Sequence, residues 1–236
     1  MASSPKARGV KSIVILVLIL AVPGFLYYLL TAKGKNRYKP LPIYGPKVVA
    51  KTSHKFHGKL IPDTIYHIAD DFDLTDQDGK KVSFESFPKK IVIASFFFTN
   101  CPTVCNEVNR NMDSLAHAYV NNKLVQFVSI TVDPQRDQVG VLKKYSDRFG
   151  VSAAKWKFLT GDTSAIYNFA RKSLLVNALQ TGPDDFIYSD KIIMLDANRR
   201  IRGYYSGTSN TDVSRLNDEI RVQITEELRK VETPEM

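Results

Sequence analysis

Apolar and polar positions alternate along this chain in patterns that change abruptly. Residues 12–30, SIVILVLILAVPGFLYYLL, run without a charge. That is about the length a helix needs to cross a bilayer. Tyr27 and Tyr28 stand near its end, where aromatic rings favour the interface, and Pro23-Gly24 is a kink that membrane helices tolerate. The rival is a cleaved signal peptide. The segment has no small-x-small cleavage site and no cysteine for a lipid, which favours a retained anchor.

Further on the runs shorten. Ile91–Phe98 and Leu124–Val132 are rich in Ile, Val and Phe and are bounded by charged or turn residues, so both predict buried strands. Between them Val104, Val108, Met112, Leu115 and Tyr119 recur at helical spacing, which predicts a helix to about Asn122. Asp71–Val82 reads as two short strands around an Asp78-Gly79 turn. Helices are expected over Val139–Phe149 and Thr163–Leu174, with a strand at Trp156–Leu159 between them. Ile192–Asp196 and Ile201–Tyr205 read as a hairpin. Val213, Leu216, Ile220, Ile224 and Leu228 mark one stripe of a closing helix. A β-α-β unit followed by a hairpin predicts an α/β fold: a mixed sheet flanked by helices, preceded by one N-terminal transmembrane helix. The expected organisation is a tail at 1–11, a transmembrane anchor at 12–31, a basic linker at 32–59 extended by Pro40, Pro42 and Pro46, and a domain at 60–232.

Charge changes the picture in one respect. The chain of 236 residues has a formal charge of +9, but residues 1–62 hold eleven Lys and Arg and no Asp or Glu. Of the chain's 33 basic residues, 22 remain for the rest, against 24 acidic ones. The domain is near neutral, which argues against nucleic acid as a partner; the basic stretch belongs beside a membrane. Three basic residues precede the apolar run and Lys33, Lys35, Arg37, Lys39 and Lys47 follow it closely. Counted alone, that would hold the domain in the cytoplasm, but long downstream domains translocate largely regardless of charge.

The only two cysteines, Cys101 and Cys105, stand where the first buried strand gives way to the helix, with Pro102 in what reads as the first turn. A helix N-terminus favours thiolate over thiol, and thiolates serve both disulfide exchange and soft-metal binding. Two inert buried thiols, or a structural disulfide closing too short a loop to stabilise much, are the plainer readings. The position at a strand end suggests a thioredoxin-like arrangement, although the spacing is C-x-x-x-C rather than C-x-x-C. Other polar residues add less. His54 and His57 read as solvated linker residues rather than metal ligands, and His67 as a residue of the domain edge. His117 lies about 18 Å along the helix from Cys105. Asp133, at the end of the second strand, is a candidate to tune the thiols, with Asp137 the better candidate to cap the next helix. Arg199, Arg200 and Arg202 read as a solvated edge that discourages sheet pairing.

DFDLTDQDGK (71–80), ASFFFTNCPTVC (94–105), SITVDPQRD (129–137), KWKFLTGD (155–162) and IIMLDANRRIRGYYSG (192–207) together resemble the Sco/SenC family. These are membrane-anchored, thioredoxin-like, copper-binding proteins of cytochrome c oxidase assembly. The resemblance covers nearly the whole chain, and CPxxC after FFFT with VDPxRD some way on is a specific combination. It implies copper held by Cys101, Cys105 and one distant histidine. Gap-free alignment on residues 192–205 puts Tyr188 at the histidine position, and no histidine follows His117. Two sulfurs suit Cu(I) ahead of Cu(II), and a neutral phenol is a poor ligand for Cu(I). The resemblance therefore leaves two expectations. One is copper delivery to, or copper-site assembly of, cytochrome c oxidase, with its copper-bearing subunit or another copper or thiol protein as partner. The other is a thiol-disulfide reductase that keeps partner cysteines reduced and needs no cofactor. Both place a single-pass protein in an inner or cell membrane, with the domain facing the periplasm or its equivalent.

Overall fold

The computed structural model describes residues 5–32, 40–56, 58–101, 104–180, 182 and 186–232. Two compact units are present, residues 1–39 and 40–236. In the first, helix α1 (Pro5–Ala32) exposes Ile15, Leu16, Leu18, Ile19, Leu20 and Phe25. The expected span at 12–31 falls partly outside the described side chains. Among the described residues no helix is long and apolar enough to cross a membrane.

The second unit opens with a hairpin, β1 (Lys47–Phe56) and β2 (Lys59–Tyr66), where an extended linker to residue 59 was expected. The difference has a simple cause. Both faces of the hairpin stay exposed, so no apolar alternation marks it in the sequence, and the prolines all precede Lys47. Then follow β3 (Leu74–Asp76), β4 (Lys81–Val82), β5 (Ile91–Phe97), α2 (Val104–Ala118), β6 (Val125–Thr131), α3 (Val139–Ser146), β7 (Trp156–Thr160) and α4 (Thr163–Asn168). The chain closes with β8 (Ala178–Gln180), β9 (Phe186–Tyr188), β10 (Lys191–Leu195), β11 (Ile201–Ser206) and α5 (Asn210–Glu232). Pro102, expected in the first turn of α2, lies outside the described residues.

Seven strands form one sheet in the order β11-β10-β5-β6-β7-β3-β4. β5, β6 and β7 run parallel; β10, β11, β3 and β4 are antiparallel to their neighbours. The parallel strands are the continuous apolar runs of the sequence, because both faces of the sheet are covered. Along β5 the side chains alternate. Ile91, Ile93 and Phe97 join the core under α2 and α5, while Val92, Ala94 and Phe96 join the core beneath α4. Each large side chain buried this way contributes roughly 1.5–3 kcal/mol. The helix expected at 163–174 is α only to Asn168. Phe169–Ser173 widens into a π-turn that presents Phe169 to Phe72 and Phe84.

The arginines at the β10–β11 turn depart from expectation. Arg202 is 1% exposed and donates to both carboxylate oxygens of Glu226 at 2.8 Å, to Asp196 at 3.2 Å, and to the carbonyls of Leu41 and Pro42. It is a buried tie between β11, α5 and the chain entering the domain. Arg200 pairs with Asp196 at 2.9 Å, and Arg199 lies over the Phe84 ring. The outer edge of β11 is met instead by Tyr44, through a bridge to Ile201.

Candidate functional site

The chain leaves β5 at Phe97 and turns, the Cys101 amide donating to the Phe98 carbonyl at 3.3 Å. That turn is held from β6. Asp137, buried beyond the strand end, accepts from the Thr99 amide at 3.0 Å, from the Thr99 hydroxyl, and from the Thr131 hydroxyl at 2.5 Å. Asp137 does not cap α3: Gln138 stands at the cap position, without a side-chain bond. One carboxylate thus fixes the loop that carries the cysteines to the neighbouring strand, a role that spacing alone did not reveal.

Cys101 and Cys105 are joined as a disulfide, at 7% and 1% exposure. Cys105 sits in the first turn of α2, and its amide donates to Cys101 Sγ at 3.2 Å. The expected helix-terminus environment is present: the Cys105 amide, in the first turn of α2, and the positive end of the helix dipole face Cys101 sulfur. Reduction of the pair would leave Cys101 with a donor that favours its thiolate.

Tyr188 completes the site. Its hydroxyl lies 3.1 Å from Cys101 Sγ and 3.2 Å from Cys105 Sγ. Bonded sulfurs carry no proton, so the phenol is the donor. Burial, and then the charge of Asp190, raise the Tyr188 pKa above its ordinary value, so the ring is protonated at neutral pH. The residue comes from β9, which pairs with β8 in a two-stranded ribbon separate from the main sheet, Tyr188 opposite Ala178. Phe98 meets the Tyr188 ring edge-on, with centroids 5.7 Å apart, and Phe186 packs tilted against Phe98 at 4.9 Å. The ribbon was not expected. Its strands are three residues long, too short to show alternation, and Gly182-Pro183 between them was the available turn signal.

The turn after β11 closes the far side of α2. A Cβ at Gly207 would come within 2.9 Å of the Asp190 carbonyl and of Val108, so only glycine lets this turn pack against the helix. Asn111 then bonds the Gly207 carbonyl at 2.7 Å.

The other candidates have these partners. Asp133 follows β6, is buried, and pairs with Arg136 at 2.8 Å. His54 binds Asp63, His67 the Ser173 carbonyl, and His117 the Phe149 carbonyl; His57 lies outside the described residues. Among the described residues no group of three or more His, Cys, Asp and Glu side chains is arranged to hold a metal ion. Among the described residues the donor set at the site is two sulfurs and a neutral phenol. Once reduced, that set fits Cu(I) as a pair of thiolates and offers Cu(II) no nitrogen.

A family model described as SCO1/SenC matches residues 62–224. Over 167 residues the chain is 30% identical to the SCO1 protein homolog of Bacillus subtilis (strain 168), covering 70% of this chain and 86% of that relative. Among solved structures, BsSco, described as having a disulfide switch and as a member of the Sco family of cytochrome c oxidase assembly proteins, matches with a TM-score of 0.60. It is 30% identical, over 67% of this chain and 94% of that one. Arabidopsis thaliana ScoI with copper bound matches with a TM-score of 0.56 at 27% identity, over 69% of this chain and 99% of that one. The mixed sheet and flanking helices are thus the thioredoxin-like Sco fold expected from the strand-end dithiol. With the family model spanning most of its length and a relative at 30% identity, the chain belongs to the SCO1/SenC family.

Proposed function

We propose that this chain acts in copper-site assembly of a cytochrome c oxidase, taking Cu(I) on Cys101 and Cys105 and passing it to a copper-bearing subunit or another thiol protein. The observation that carries this reading is the sulfur pair at the first turn of α2, with a backbone amide aimed at Cys101. Copper is the cargo. Two thiolates take it up, and release requires only that partner ligands replace them one at a time. Tyr188 closes the third side with a hydroxyl that, uncharged, adds little affinity. A site of two soft ligands holds Cu(I) and gives it up readily. The bound state of copper in the Arabidopsis relative supports the assignment.

A second reading is favoured by the Tyr188 contact to both sulfurs. The reduced pair would then act as a thiol-disulfide reductase. A thiolate of Cys101 attacks a partner disulfide and releases one partner thiol. Cys105 then attacks the mixed disulfide and releases the second. The partner gains two electrons and two protons, and Cys101–Cys105 is left oxidised.

A membrane anchor belongs to either reading. It is supported by the charge-free run at 12–30 and by the exposed apolar side chains of α1. A dithiol placed to close into a disulfide suits an oxidising compartment, so we propose that the domain lies on the extracytoplasmic side.

A Cu(I) titration of the reduced chain against a competing chelator, with Tyr188→His alongside, separates the readings. Tight one-to-one binding that Tyr188→His improves less than about tenfold supports the carrier. Weak binding that Tyr188→His restores by more than about a hundredfold overturns it. Cys105→Ser should then trap a mixed disulfide with the partner.

A further inference from the structure

The β1–β2 hairpin is an exposed feature of the second unit that the site leaves unused. Its large apolar side chains are uncovered: Val48, Val49, Leu60, Ile61 and Ile65 range from 40% exposed at Ile61 to 71% at Val49. Cross-strand register places Val48 opposite Ile65, with Ile61 on the same face, while Val49 and Leu60 occupy the other. A two-stranded hairpin without a covered face is marginal in water, and clustered exposed apolar side chains mark an interaction surface. The same strands carry Lys47, Lys51, Lys55 and Lys59, all exposed. The one acidic residue of the hairpin, Asp63, is held by His54 at 2.6 Å.

We infer that this hairpin docks onto an anionic lipid surface. The inference rests on the reading of residues 12–31 as an anchor. Three observations choose this occupant. Apolar side chains interleaved with lysines match the acyl boundary and the anionic headgroups of a bilayer, where a protein groove would need only one of the two. From Lys33 to Lys59 the sequence holds eight basic residues and no acidic one, so every charged side chain in that stretch suits an anionic surface. Finally, only residues 33–46 separate α1 from β1, a reach of about 50 Å even fully extended. A hairpin tethered that closely meets the bilayer at high effective concentration, so a weak surface affinity suffices. Docking would hold the domain at the membrane face rather than at the end of a loose tether.

The full chain, oxidised so that Cys101 and Cys105 stay paired, is reconstituted into vesicles of phosphatidylcholine alone or with phosphatidylglycerol. It carries one environment-sensitive fluorophore, at Val48→Cys on the hairpin or at Leu26→Cys on the helix. Quenching by spin-labelled lipid is read for each. The helix label should be quenched in both vesicles. The hairpin label should be quenched at least threefold more in the anionic vesicles, and 0.5 M salt or Lys51→Glu with Lys55→Glu and Lys59→Glu should abolish the difference. A quenched helix label with an unquenched hairpin label in both lipids overturns the docking and leaves the anchor standing. An unquenched helix label overturns the anchor, and the tethered docking with it. Hairpin labels that self-quench with protein density in neutral vesicles would identify a second copy as the occupant, and would also overturn the proposal.

Discussion

Two buried polar centres of this domain differ in how far their bonding is complete. Around Arg202 almost every donor is used: two oxygens of Glu226, one of Asp196 and two main-chain carbonyls surround the guanidinium. Around Cys101 and Cys105 bonding is sparse. Among the described residues one amide and one phenol face the two sulfurs, and the Phe98 ring packs edge-on against that phenol. The first centre is closed and holds three parts of the chain together. The second, among the described residues, gives sulfur few partners, as the proposed uptake of a metal or of another sulfur requires. Saturation marks a structural node; a shortfall of partners beside a helix terminus marks a reactive one.

Removing Arg202 should have the largest effect. Arg202→Met leaves Asp196 to Arg200 and Glu226 to Lys230, and takes the donor from the Leu41 and Pro42 carbonyls; loss of one partner of a buried ion cluster costs about 3–5 kcal/mol. Urea unfolding measures it, and a loss below about 1 kcal/mol would show that the cluster is not the closed node described. Asp137→Asn should come next. It removes the charge from three hydrogen bonds that fix the cysteine loop, at about 1–3 kcal/mol. The same change should speed amide exchange at Thr99, because that amide loses its ionised acceptor; unchanged exchange would mean the loop holds itself. Tyr188→Phe should cost least, under about 1 kcal/mol in the oxidised chain, because the ring stays against Phe98 and only a bond to neutral sulfur is lost. A larger loss by the same urea measurement would move Tyr188 into the structural class and blur the contrast.

These centres were not equally legible in the sequence. β5, α2 and β6 could be read because each buries a regular pattern, and the dithiol at their junction followed from position alone. Tyr188 came from a family resemblance rather than from any local signal, and the structure brings it to both sulfurs. Arg202 was misread because its alternation with Ile201 and Gly203 looks like an edge strand facing water, while its partners lie 24 residues ahead at Glu226 and some 160 residues back at Leu41 and Pro42. Asp137 resembled a helix cap because its acceptor role depends on the Thr99 loop, 38 residues away in the chain. The β1–β2 hairpin was missed because a pattern exists only where one face is buried.

The ribbon that carries Tyr188 has a consequence for how this site can change over generations. The cysteines are set into the main sheet and its helix, where a shift would disturb the core. The third position is presented by a separate pair of short strands, whose last side chain meets both sulfurs. A substitution at 188 therefore exchanges the chemistry facing the dithiol while the framework beneath it stays intact. On the two readings proposed above, metal transfer and electron transfer are neighbouring states of one scaffold, a single codon apart.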